Sequence, residues 1–226
     1  MENLISRIAM CVERGKINKN SPYPKDMLGE DGVEELVQQA LAMGIPAGKI
    51  LEEGLMRGMS VIGKKFSKNE VFVPDVLMSA RAMNIAMPYL KSAFETGETK
   101  HKGVFIIGTV QGDLHDIGKN LVRMMMEGVG WKVIDLGVDT PPEKFLQAVK
   151  ENPGAVVGMS ALLTTTMINM GRAVKVLKDE NPNIIIVVGG APLTQDFCDK
   201  IGADKYCPDP QACIEYLDEK LNLSRN

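Results

Sequence analysis

Val104-Phe105-Ile106-Ile107, followed by Asp113-Leu114-His115-Asp116-Ile117-Gly118: these two short stretches decide the fold of the chain. The first is a continuous apolar run of strand length. The second is a polar loop that opens into a helical pattern near Gly118. Strand, loop and helix in that order form the repeating unit of an α/β sheet, and such sheets bind ligands at the carboxyl ends of their strands. His115 is thus placed at a ligand-binding edge. Asp113, two residues earlier, can orient its imidazole, the pairing that a metal-ligating histidine requires.

Downstream the unit repeats. Apolar runs at Trp131–Leu136, Ala155–Met159 and Ile184–Val188 alternate with helical segments at about 118–129, 142–151, 166–180 and 192–201. A weak fifth strand near Asp204–Tyr206 leads to a last helix over about 210–221. Near-continuous apolar strands between helices indicate a parallel sheet covered on both faces, here five-stranded and doubly wound.

Upstream the period changes. Val33, Leu36, Val37, Ala40 and Leu41 make one helical stripe, and Leu51, Leu55, Met59, Ile62 and Phe66 a second. Leu77, Ala80, Met83, Met87, Leu90 and Phe94 make a third, which Pro88 should kink or divide. Gly54 and Gly58 border the second stripe and would permit close helix approach. With a first helix near residues 2–14 and a Pro/Gly-containing loop from Asn18 to Asp31, residues 1–97 read as a helical bundle. The polar stretch Thr96–Lys102 reads as the linker to a second domain, 98–226.

Composition narrows the function classes. The 226 residues carry a net charge of −3, without the basic excess of a nucleic-acid-binding surface. No apolar stretch reaches membrane-spanning length and no secretory leader is visible. Cys11, Cys198, Cys207 and Cys213 form no C-x-x-C pair, so zinc is not expected and the thiols should be free, as in a reduced, cytoplasmic protein. The 15 methionines read mainly as adaptable helix packing. The Glu34-Glu35 and Glu52-Glu53 pairs read as solvated helix faces, and Asp116 as a cap for the helix that follows it.

In the doubly wound half, the loops after the first, third and fourth strands converge on one edge. They carry Asp113, His115, Ile117 and Gly118; then Ser160, Leu162, Thr164, Thr165 and Thr166; then Gly189, Gly190 and Ala191. The order D-x-H-x-x-G, S-x-L, G-G, with 41 residues between Gly118 and Ser160 and 26 between Leu162 and Gly189, resembles the cobalamin-binding signature. Gly58-Met59, Val61-Ile62-Gly63, Phe66, Phe72, Val73-Pro74 and Ser79-Ala80-Arg81 resemble the cap that precedes the cobalamin domain in methionine synthase. A cap plus a B12-binding domain is similar to the small corrinoid proteins of methyltransferase systems, which serve methanol, methylamines, glycine betaine or aryl methyl ethers.

The resemblance implies a flavodoxin-like, Rossmann-like domain after a helical cap, and cobalamin as cofactor, passing between methylcobalamin and the Co(I) corrinoid. His115 would be the lower axial ligand of the metal. Asp113 would accept its other ring N–H, and Thr166 would complete a relay; Thr165 competes for that place. Asp116, Ile117, Gly118, Ser160, Leu162, Thr164, Gly189, Gly190 and Ala191 would contact the cofactor and its displaced nucleotide tail. The glycine pair would leave room for the tail. Phe66, Val73 and Val76 would cover the upper face.

The implied role is a methyl carrier, inactive alone. Its partners would be a substrate-specific corrinoid methyltransferase, an acceptor methyltransferase serving tetrahydrofolate or a thiol, and a reductive activator. A radical-mutase subunit shares the D-x-H-x-x-G loop but generally lacks this cap. A B12-dependent sensor needs a DNA-binding module that is not apparent.

Overall fold

The computed structural model describes residues 2–95 and 100–222. The linker expectation falls largely on 96–99, outside the described residues, as does the Phe94 side chain. Contacts divide the chain into two compact units. One comprises Met1–Lys100 with Gly128–Gly130, and the other His101–Glu127 with Trp131–Asn226.

The helical unit contains α1 (Glu2–Glu13), α2 (Val33–Ala42), the short α3 (Ala47–Lys49), α4 (Arg57–Ser67) and α5 (Val73–Glu95). A π-helical stretch, Ile50–Met56, joins α3 to α4, so the second apolar stripe lies on a continuous but locally widened helix. Its core includes Ile8, Val12, Leu36, Val37, Leu55 and Met59, all almost fully buried. Gly58 is required by contact: a Cβ there would lie 2.5 Å from the Ala9 carbonyl oxygen and 2.6 Å from Val12 Cβ. Two expectations change. α5 runs unbroken through Pro88, so the proline does not divide it. Glu34 and Glu35 are not merely solvated: Glu35 accepts the Gly32 and Lys19 N–H groups at the start of α2, and Glu34 accepts from Asn18 and Tyr89.

The second unit alternates β1 (Val104–Thr109), α6 (Ile117–Gly128), β2 (Lys132–Asp135), α7 (Pro142–Glu151), β3 (Val156–Ser160), α8 (Met167–Glu180), β4 (Ile186–Gly189), α9 (Gln195–Ile201), β5 (Lys205–Tyr206) and α10 (Pro210–Lys220). All strand pairs are parallel, in the order β2-β1-β3-β4-β5. This is the flavodoxin-like arrangement, in which the order reverses between β1 and β3 and a crevice opens at their carboxyl ends. The central strands are buried on both faces. β2, at the sheet edge, is only half-buried and is shorter than its apolar run. α9 begins at Gln195, later than its periodicity indicates, because the Thr194 hydroxyl caps it by accepting from the Phe197 N–H. All four cysteines are buried and free. Among the described residues, no helix is long and apolar enough to cross a membrane.

Phe105 is fully buried on β1 and meets Trp131 edge-on, with ring centroids 6.2 Å apart. Replacing Phe105 by Ala should destabilise this unit by about 3–5 kcal/mol. The sole tryptophan, Trp131, reports the loss as an earlier urea midpoint in its fluorescence. An unchanged midpoint would contradict this packing.

Candidate functional site

β1 ends at Thr109, and the chain turns through Gly112 (φ 83°) before reaching Asp113. The Asp113 side chain is fully buried. A carboxylate removed from water needs donors to replace its hydration, and the structure supplies them on both oxygens. Oδ1 accepts the His115 backbone N–H at 3.1 Å and faces His115 Nδ1 at 2.8 Å. Oδ2 accepts the Leu162 N–H at 2.8 Å, the Leu163 N–H at 3.2 Å and the Thr166 hydroxyl at 2.7 Å. Burial pushes the Asp113 pKa upward. The donors from Leu162, Thr166 and His115 outweigh burial and hold it well below its ordinary value of 3.8.

The ionised carboxylate can only accept, so Nδ1 carries the hydrogen, and in the neutral imidazole this leaves the lone pair on Nε2. The His115 side chain is half exposed. Its backbone is held on both sides, because the buried Thr109 hydroxyl donates to the His115 carbonyl at 2.8 Å.

Thr166 stands directly before α8, a place where threonine usually caps a helix. Its side chain makes no cap bond here. The hydroxyl lies 2.7 Å from Asp113 Oδ2 and 2.8 Å from the Leu163 carbonyl oxygen. Thr165 is exposed, so the structure brings Thr166 to Asp113. Two donors to Asp113, the Leu162 and Leu163 N–H groups, escape a reading of the sequence, which treats these positions as side chains. Thr109 escapes it too, since nothing at a strand end announces a hydroxyl aimed at a loop carbonyl.

The other expected site residues gather at the same sheet edge. Leu114 and Ile117 are 72% and 75% exposed, and Leu162, Leu163, Thr164 and Gly118 are also open to solvent. Asp116 precedes α6 and accepts from the Asn120 side-chain amide. Ser160 ends β3 and pairs in register with Thr109 and Gly189. A Cβ at Gly190 would fall 1.8 Å from the Ala161 carbonyl oxygen, so the close approach of the β3 and β4 loops by itself excludes a side chain. Ala191 is exposed beside it. Phe66 and Val73 are half-buried in the helical unit, and Val76 is in its core.

This donor set suits a metal that arrives already held in a macrocycle. Among the described residues, no group of three or more His, Cys, Asp or Glu side chains could hold a metal ion. One oriented imidazole stands among exposed apolar side chains and bare backbone, and a Cβ at Gly118 would meet nothing within 4 Å. A metal held in a large ring, needing one further ligand from the protein, would fit that arrangement.

The B12 binding domain family matches residues 103–210, and a second B12 binding domain family matches residues 28–91. The chain is 41% identical to trimethylamine corrinoid protein 1 of Methanosarcina acetivorans, over 78% of its own length and 84% of that protein's. The chain belongs to the corrinoid-protein family. A corrinoid protein of Desulfitobacterium hafniense is 38% identical over 85% of this chain and 91% of that protein. The fold also superposes on the methanol:cobalamin methyltransferase complex of Methanosarcina barkeri with a TM-score of 0.81 and 30% identity, covering 98% of this chain and 80% of that one. Cobalamin is the cofactor of this corrinoid protein.

The depressed Asp113 pKa has a defined sign in stability. The ionised carboxylate contributes above its unfolded value, and the contribution is lost as pH falls through the lower folded value. Urea midpoints from Trp131 fluorescence should therefore decline below about pH 4 more steeply in the native protein than in Asp113→Asn. At neutral pH the variant should be less stable by about 1–3 kcal/mol, because donors are left unpaired. Parallel pH profiles would show that Asp113 is not the buried acceptor.

Proposed function

We propose that this corrinoid protein is a methyl carrier that binds cobalamin through His115. Residues 1–97 form the cap and residues 98–226 the cofactor-binding domain. The bound corrinoid supplies a metal centre that accepts a methyl group and gives it up. His115 Nε2 would hold the metal, Asp113 would keep the imidazole in the tautomer that leaves Nε2 unprotonated, and Thr166 would donate to Asp113. The Nδ1–Asp113 contact at 2.8 Å carries this reading, since an Nδ1–H engaged by a carboxylate leaves Nε2 as the nitrogen free to ligate. Leu114, Ile117, Leu162, Thr164 and the backbone at Gly118, Ser160, Gly189 and Ala191 line the space for the ring and tail. Phe66 and Val73, half-buried in the helical unit, are the residues of the cap read as facing the cofactor, and Val76 belongs to the bundle core.

A carrier works between partners. The donor side is a substrate-specific methyltransferase, and the trimethylamine and methanol systems of the relatives support this. The acceptor side is a methyltransferase serving tetrahydrofolate or a thiol, and a reductive activator restores the carrier after adventitious oxidation. The same relatives favour the carrier over a mutase subunit or a light or B12 sensor.

The decisive measurement is paramagnetic resonance of the Co(II) protein reconstituted from hydroxocobalamin. We expect splitting from one imidazole nitrogen that changes on nitrogen-15 histidine labelling and disappears in His115→Ala. A signal that survives in that variant excludes His115 as the ligand. Cobalamin affinity should fall about 10–100-fold in Asp113→Asn. Thr166→Val should weaken binding less, and Thr166→Ser, which keeps the hydroxyl, should resemble the native protein.

A further inference from the structure

We infer that Asp139, in the turn between β2 and α7, is a positioning residue for His115. The inference rests on the lower-ligand reading above. Asp139 grips the histidine loop at two consecutive residues: its Oδ1 accepts the Gly112 N–H at 2.7 Å, and its own N–H donates to the Asp113 carbonyl at 2.9 Å. Asp139 is itself fixed to the sheet. Beyond the regular strands, Val110 bridges to Thr140, and the Thr140 N–H donates to the Thr109 carbonyl at 2.9 Å. From the opposite flank, the Asn169 side-chain amide donates to the Gln111 carbonyl at 2.8 Å. Residues 111, 112 and 113 are thus each held from outside the loop, immediately before the carboxylate that orients the imidazole. Nothing in the sequence pattern singles out Asp139 or Asn169.

Two properties make Asp139 suited to aim the loop and of little weight in global stability. It is exposed, as is Gly112, so water replaces a lost bond at small net cost. It also sits at φ 50°, a left-handed conformation that Asp, Asn and Gly tolerate and Ala does not. Asp139→Gly therefore removes the acceptor without backbone strain, and Asp139→Asn keeps an acceptor oxygen in the same place.

The test measures hydroxocobalamin affinity of the full chain and the nitrogen splitting of the Co(II) form. Asp139→Gly should weaken affinity about three- to tenfold and add a population without imidazole splitting. Asp139→Asn should restore both, and the Trp131 urea midpoint should stay near the native value in each. Because Asp139 acts through His115, Asp139→Gly should cause no further loss in a His115→Ala background. Native-like affinity and splitting in Asp139→Gly, or the same loss persisting without His115, would overturn the inference alone. Absence of histidine splitting in the native protein would overturn the ligand reading itself, and this inference with it.

Discussion

One buried carboxylate organises the ligand edge of this protein. Asp113 carries charge where water cannot reach it, and it is stable there only because five donors converge on its two oxygens. Those donors come from the loop after β1 and from the loop before α8. A single side chain thereby ties together the two loops that diverge at the reversal of strand order. Preference for the ionised form is a consequence of that convergence, and the imidazole tautomer is a consequence of the ionised form. The orientation of the imidazole thus depends on the far side of the carboxylate, where the Leu162 and Leu163 N–H groups hold Oδ2.

The legible parts of the fold are those governed by short-range spacing. Alternation of apolar runs and helical stripes locates every strand and helix of the second unit, and the strands are parallel because each is followed by a helix that returns over the sheet. Gly58 is legible as a close-approach position because a glycine beside an apolar stripe has few other uses. Boundaries are less legible where a single hydrogen bond decides them, as at Thr194, where the cap bond delays α9 by a few residues. Pro88 misleads because a break in propensity says nothing of the packing that carries α5 across it.

In the site, Asp113 and His115 are legible because both lie in one loop two residues apart. The choice between Thr165 and Thr166 is not, since it depends on the rotation at which α8 begins. The Leu162 and Leu163 N–H groups are invisible for a simpler cause: every residue except proline has one, and only the path of the chain decides where it points. Gly190 is legible by position, and the fold adds a reason of its own. Its missing side chain makes room for the Ala161 carbonyl of the protein itself.

Thr166 retains one degree of freedom inside this network. Its hydroxyl has one hydrogen and two oxygens in reach, the Asp113 carboxylate at 2.7 Å and the Leu163 carbonyl at 2.8 Å. It can donate to only one of them at a time. Turning that one hydrogen about the Cβ–Oγ1 bond changes how much negative charge Asp113 presents to the imidazole, and no heavy atom has to move. The charge that Asp113 presents to His115 Nδ1 is therefore coupled to a single torsion, a rotor set among the other donors to the carboxylate.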